Sequence, residues 1–466
     1  MSLPFAQIAA VVGDENLLMS PEELYCYSFD ASRMSFFAEG VAFPADGAEI
    51  SALVRLANAH RFPVYPRGSG SGMVGACLPR GGLVIVTNRL KRVLEIDAAN
   101  MTAVVEPGVI TEDLQKAAAK YGLFYPPDPA SLAFSSMGGN VATCAGGPRA
   151  VKYGVTRDYL LGLEMVLPTG EIIRTGTRTM KGVVGYDMTR LMAGSEGTLG
   201  IFTKIVVRLI PAPEAVRTLT AVFSDLDFAV NAICGILLDR IIPSTIELMD
   251  QATIRVVENH LRIGLPVEAE ALVLIEVDGP EVVLDGQVDR IEAICRRAGA
   301  GAIMAAQSEE ERELLWRARR SVSPALGQIR PGKINEDVTV PRTRIAQLIR
   351  SIRGLADKYA LTIVCFGHAG DGNIHTNIML DRRDESERAR AAKAVEELFA
   401  IVLGLEGTIS GEHGIGLAKS PFIELEVGAG GLDAMRRIKQ ALDPLNIMNP
   451  GKIFVPDRTF LDGDFV

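Results

Sequence analysis

Pro66-Arg-Gly-Ser-Gly-Ser-Gly-Met-Val-Gly75 decides which nucleotide fold this chain can adopt. Gly70, Gly72 and Gly75 match G-x-G-x-x-G, and Glu95 or Asp97 lies near the distance at which a ribose-binding acid follows that fingerprint. The fingerprint must open a helix, whereas Pro79, Gly81 and Gly82 follow within a few residues and leave none to form. The dinucleotide Rossmann reading is therefore rejected. Successive backbone N–H groups in such a loop still make a nest for a pyrophosphate.

Two more glycine segments lie in the same half of the chain. One runs from Pro126-Pro-Asp-Pro129 through Ser136-Met-Gly-Gly-Asn140 to Ala145-Gly-Gly-Pro-Arg149 and Lys152-Tyr-Gly154, and its small residues fit a loop wrapped round a large flat ligand. The other, Gly194-Ser-Glu-Gly-Thr-Leu-Gly-Ile201, precedes a strand over 204–210. Glycine's commoner role is the tight turn. Three such segments, joined to short apolar strands such as Leu83-Val-Ile-Val86 and Ala103-Val-Val-Glu106, are better explained by backbone that approaches a ligand closely.

Around Pro211-Ala-Pro213 the texture changes. Helical patterns over 227–238 and 281–298 alternate with strands such as 271–277, which reads as a second, α+β domain. A helix over 308–323 carries Trp316, Arg317, Arg319 and Arg320. The stretch Asp443-Pro-Leu-Asn-Ile-Met-Asn-Pro-Gly-Lys452 is a polar loop after a helix, without an evident task.

Three of the five histidines cluster late in the chain: His368 and His375 in Gly367-His-Ala-Gly-Asp-Gly-Asn-Ile-His375, and His413 in Ser410-Gly-Glu-His-Gly-Ile-Gly416. Asp371-Gly372 after the apolar run 361–366 predicts a two-residue hairpin that sets His368 directly opposite His375. Directly opposed Cβ atoms lie about 4.5–5.5 Å apart, close enough for two imidazoles to share an ion. With Glu412 this makes two nitrogens and a carboxylate, a set that suits zinc, manganese or iron and leaves coordination positions open. The other reading is a surface hairpin with incidental histidines.

A length of 466 residues implies two or three domains, and 48% hydrophobic with 23% charged residues is a globular composition. The net charge of −9 argues against nucleic acid as a partner, since phosphate binding draws on clustered Lys and Arg. The first residues lack the basic start and apolar core of a signal peptide and no run of 18 apolar residues occurs, so a cytoplasmic protein is expected. Cys26, Cys77, Cys144, Cys234, Cys295 and Cys365 are scattered without C-x-x-C, which argues against an iron–sulfur cluster and for buried, reduced thiols.

Together these runs, from about Phe43 to Phe454, resemble the FAD-linked oxidases of the vanillyl-alcohol oxidase superfamily, in the branch that contains the GlcD component of glycolate oxidase and the D-lactate and D-2-hydroxyglutarate dehydrogenases. The resemblance implies an α+β fold: a two-subdomain FAD-binding, PCMH-type domain over 1–214, an α+β cap domain with an antiparallel sheet over 215–410, and a C-terminal segment, 411–466, that returns to the flavin domain. It implies that Arg67, Gly68, Ser69, Gly70 and Ser71 hold the pyrophosphate of FAD. Pro127, Asp128, Ser131, Ser136, Gly138, Gly139, Asn140, Gly146, Gly147, Tyr153 and Gly154 would follow the ribityl and isoalloxazine parts, and Glu196, Gly197, Gly200 and Ile201 the nucleotide. Asn449 would return from the cap to the flavin. No histidine stands in 66–75 or 136–154, so FAD is expected to bind noncovalently.

By the same resemblance, His368, His375 and Glu412 match ligands of a divalent metal and His413 the catalytic base. Arg319 matches a residue that binds substrate carboxylate, and Lys333 and Asn377 fall near other substrate contacts. The implied reaction oxidises a small (R)-2-hydroxy acid, with D-lactate and glycolate ahead of D-2-hydroxyglutarate, and passes hydride to FAD. The implied electron acceptor is a separate protein, an iron–sulfur subunit or an electron-transfer flavoprotein. Peripheral attachment to the inner membrane through that partner, and a homodimer, are compatible with this reading. Two alternatives stand beside it, a metal-only hydrolase or oxygenase and a catalytically silent FAD-binding subunit.

Overall fold

A computed structural model describes residues 3–455. Within them the chain forms two compact units, the first from 3–146, 155–212 and 412–455, the second from 147–154 and 213–411. Residues 147–154, expected inside an unbroken first domain, belong to the second unit, where the Tyr153 hydroxyl donates to Asp278 Oδ2 at 2.8 Å and Lys152 pairs with the same carboxylate.

The first unit contains a four-stranded sheet in the order Leu17–Leu18, Gly40–Ala42, Leu83–Val86, Val64–Arg67. The last three strands run parallel, and a parallel strand covered on both faces explains why Leu83-Val-Ile-Val86 is apolar throughout and wholly buried. The crossover helix Gly47–His60 starts where Asp46 Oδ1 accepts the N–H groups of Ala48 and Glu49, at 2.8 and 3.0 Å, and ends at left-handed Arg61. Its Ile50, Leu53, Val54 and Ala57 pack with Ile8, Val64, Leu83 and Ile85 in the core. Each large side chain buried there contributes about 1.5–3 kcal/mol.

No helix intervenes between Arg67 and Leu83, as the rejection of the Rossmann reading requires. A second, five-stranded antiparallel sheet has the order Val93–Asp97, Thr102–Val105, Ile201–Arg208, Leu160–Val166, Ile172–Gly176. The second glycine segment departs from the expected loop, because it contains the short helices Met137–Thr143 and Ala150–Tyr153, with a third, Thr156–Tyr159, just beyond it. Ser136 starts the first of them by accepting the Gly139 N–H, at 3.3 Å.

The second unit is built on a seven-stranded sheet with antiparallel pairing throughout. Its order is Ala302–Ala305, Ala215–Phe223, Ala271–Gly279, Thr245–Asp250, Thr362–His368, Asn373–Leu380, Gly332–Thr339. The helix expected over 308–323 is Glu309–Arg320, capped by Ser308, followed by a separate turn of helix, Val322–Leu326. Three glutamates in its first turn and three arginines in its last complement the helix dipole. The thiols depart from uniform burial: Cys295 and Cys365 are buried, but Cys26 is exposed. Among the described residues no helix is long and apolar enough to cross a membrane.

Candidate functional site

In the second unit the histidine hairpin differs from expectation by two residues of register. His368 pairs with Asn373, and Phe366 pairs with His375. A two-residue Asp-Gly turn needs positive φ at both positions. Here only Gly372 has it, at φ +92°, and a Cβ there would stand 2.0 Å from the Val340 carbonyl oxygen. The connection therefore widens to the four residues 369–372, with the Asp371 and Gly372 N–H groups both donating to the His368 carbonyl, at 3.2 and 3.1 Å. The two imidazoles become diagonal neighbours on one face, a separation that long side chains still bridge. Their Nε2 atoms lie 3.4 Å apart.

A residue that sequence reasoning missed organises this pair. Glu247, paired with His368 in the next strand, lies 2.5 Å through Oε1 from His368 Nδ1 and 2.5 Å through Oε2 from Arg319 Nε. With Nδ1–H on a carboxylate, Nε2 of His368 presents its lone pair, the arrangement that orients metal-binding imidazoles. Burial pushes the Glu247 carboxyl up, but Arg319 and His368 outweigh it and bring it down to about 2. Its signal in sequence was an acid flanked by apolar residues in the strand Thr245-Ile-Glu-Leu-Met-Asp250, since a buried carboxylate implies a partner.

Arg319 also stacks over Phe366, with Cζ 4.7 Å from the ring centroid, while its two terminal nitrogens have no partner among the described residues. Asn377 is wholly buried, donates to the His375 carbonyl at 3.3 Å and has an unpartnered Oδ1. Register places Asn335 opposite Asn377, Asp337 opposite His375 and Lys333 opposite Met379 on the same face, and Lys333 Nζ reaches Ser323 Oγ at 2.9 Å. Alternation along the strands thus gathers Lys333, Asn377, His375, His368 and Glu247 on one face of the sheet.

The first unit contains an open cleft with about 1250 Å³ of space, its mouth included. Arg67, Gly68, Ser69, Gly70 and Ser71 line it, as do Ser131, Ser136, Gly138, Gly139 and Asn140, and then Glu196, Gly197, Gly200 and Ile201. Glu412 and His413 line it as well, with His413 Nε2 4.0 Å from Glu412 Oε1. The cradle needs its glycines: a Cβ on Gly68 would stand 2.2 Å from Ser136 Oγ, and one on Gly70 2.2 Å from an Arg67 nitrogen.

Pro127, Asp128, Gly146, Gly147, Tyr153, Gly154 and Asn449 are not on that lining. Asn449 lies behind it, donating to the carbonyls of Ala76 and Glu196 at 2.8 and 2.6 Å. Asp30, Thr87 and Cys77 line the cleft without having been expected there, and no local motif marked them. Burial pushes the Cys77 thiol up to about 11, despite Arg67 nearby. Burial raises the Glu196 carboxyl to about 7 and, off the lining, lowers the Lys452 amine to about 7.

A cleft lined by glycine backbone suits the phosphates of a dinucleotide, and the histidine row suits acid–base work on a small molecule; the class these features define is an oxidoreductase with a nucleotide cofactor. Residues 38–176 match the FAD binding domain, and residues 212–453 match the C-terminal domain of FAD linked oxidases. The chain is 46% identical to glycolate oxidase subunit GlcD of Bacillus subtilis, across 97% of this chain and 96% of that one. It is 34% identical to the mitochondrial D-lactate dehydrogenase [cytochrome] of Arabidopsis thaliana, across 90% and 74%. Among solved structures, 4-ethylphenol oxidase from Gulosibacter chungangensis superposes with a TM-score of 0.79 at 20% identity, covering 98% and 97% of the two chains, a likeness of fold alone. This chain belongs to the FAD-linked oxidases, in the vanillyl-alcohol oxidase superfamily.

Proposed function

We propose that this chain is the flavin-bearing dehydrogenase of a small (R)-2-hydroxy acid, D-lactate or glycolate, which it oxidises to the 2-oxo acid. The observation that carries the reading is Glu247, one carboxylate holding both an imidazole and a guanidinium beside a second imidazole. That is the equipment for a substrate with a hydroxyl next to a carboxylate. Membership in an FAD-binding family removes the metal-only hydrolase or oxygenase.

FAD, bound noncovalently in the glycine-lined cleft, supplies the hydride acceptor. A divalent metal, zinc, manganese or iron, would be held by His368, His375 and Glu412, and would supply Lewis acidity that makes a hydroxyl proton easier to remove. The facing Nε2 atoms of His368 and His375 fit such an ion. Chain connectivity supports Glu412 as the third ligand, because Gly411 donates its N–H to the Asp337 carbonyl at 2.9 Å, and Asp337 is the register partner of His375. Glycine is required there, as a Cβ would stand 2.4 Å from Asn373 Nδ2.

In this reading the terminal nitrogens of Arg319 take the substrate carboxylate through a bidentate fork, and Lys333 and Asn377 set its orientation, Asn377 with its unpartnered Oδ1. His413 accepts the hydroxyl proton at an imidazole nitrogen. The electrons then leave to a separate protein, an iron–sulfur subunit or an electron-transfer flavoprotein, since the chain's scattered cysteines form no cluster motif. Such a protein would work in the cytoplasm, peripheral to the membrane through that partner.

An anaerobic visible spectrum before and after adding D-lactate or glycolate tests the reading. Bleaching of the flavin bands is expected. A flavin that stays oxidised with a full panel of (R)-2-hydroxy acids, in metal-loaded protein, overturns it.

A further inference from the structure

Glu196 lines the cleft, yet its carboxylate is committed elsewhere. It accepts the N–H groups of Ile415 at 2.6 Å and Gly416 at 2.7 Å, two and three residues beyond His413. The backbone closes round it: Gly414 has φ +89°, and a Cβ there would stand 2.7 Å from Glu196 Oε1. Glu196 itself has φ +52°, a left-handed conformation strained for any residue with a Cβ. A glycine would relieve that strain and still line the cleft with backbone. What requires a glutamate at this position is the load on its carboxylate.

The main chain of Glu196 is fixed as firmly as its side chain. Its N–H donates to the Ala142 carbonyl at 2.8 Å, and its carbonyl accepts Asn449 Nδ2 at 2.6 Å. We propose that Glu196 is a positioning residue, a post in the wall of the cofactor cleft that sets the loop carrying His413. The wall and the loop then hold one geometry. The inference rests on the reading of His413 as proton acceptor.

The test compares FAD-loaded wild type with Glu196→Gln and Glu196→Ala, by hydrogen-exchange mass spectrometry over 411–418, by FAD affinity and by stopped-flow flavin reduction. Losing one or both acceptors should raise exchange at 411–418 by roughly tenfold, the scale of a lost charge-assisted hydrogen bond. FAD affinity should stay within about threefold, and the maximal reduction rate should fall while KM for the acid holds. Gln, which keeps one acceptor oxygen, should recover part of what Ala loses.

Unchanged exchange overturns the proposal, and unchanged exchange with weakened FAD binding assigns the carboxylate to the nucleotide instead. The exchange and affinity measurements need no substrate. A wild type that no hydroxy acid reduces therefore refutes the proposed reaction and still decides the role of Glu196. If the Glu196 variants fold poorly, Gly414→Ala crowds the same contact with the carboxylate intact, and it too must raise exchange at 411–418.

Discussion

Glu247 bears two loads on one carboxylate, His368 and Arg319, and is wholly buried. Glu247→Gln keeps the shape but leaves Arg319 facing a neutral amide and His368 without its anionic partner. Loss of such an outer partner typically lowers metal affinity by about 10–100-fold, and that is the expected result, read by metal content after dialysis against graded chelator. His413→Ala separates proton transfer from binding. It should retain FAD and metal while slowing flavin reduction by about 10²–10⁴-fold, and reduction within a few-fold of wild type would show that another group takes the proton.

Between elements, the contacts depend on absent side chains. Gly68 follows the strand Val64–Arg67, and Ser136 caps the helix Met137–Thr143; only a bare backbone lets the two meet. Gly68→Val should yield a folded but colourless protein, checked by absorbance and circular dichroism. The hairpin is under a similar constraint. At Gly372 a β-carbon would meet both a strained φ and the Val340 carbonyl, so Gly372→Ala should lower stability by at least about 1–3 kcal/mol, measured by the midpoint of denaturant unfolding. The elements themselves were largely legible in sequence: the strand Leu83–Val86 was found to the residue, and the absence of a helix after Gly75 followed from Pro79, Gly81 and Gly82. The hairpin register was not, because it turns on the sign of φ at Asp371, and aspartate is compatible with either. Nor was the helix Met137–Thr143, whose two glycines speak against it and whose Ser136 cap decides for it.

At the scale of the whole molecule, buried charge makes stability depend on pH. Burial lowers the Lys452 amine to about 7, with its Nζ held on the Leu78 carbonyl at 2.6 Å, whereas an unfolded lysine titrates near about 10.4. Between those values the unfolded chain holds the proton that the folded one has released, so folded stability from this group rises with pH across the window and is lost as pH falls through about 7. Compared with Lys452→Met, wild type should therefore gain stability between about pH 7.5 and 9.5, measured by denaturant midpoints of the FAD-loaded proteins. Sequence alone showed the three glycine segments, the change of texture near Pro211 and the histidine cluster, because each is written in neighbouring residues whose backbone freedom or periodicity is a local property. Tertiary structure alone decided that Glu247 serves His368 from 121 residues away, that Tyr153 turns to Asp278, and that Glu196 holds the 413–416 loop from 220 residues away. A buried carboxylate must find a partner, but which one it finds is set by where the fold brings donors to it, and no local pattern encodes that distance.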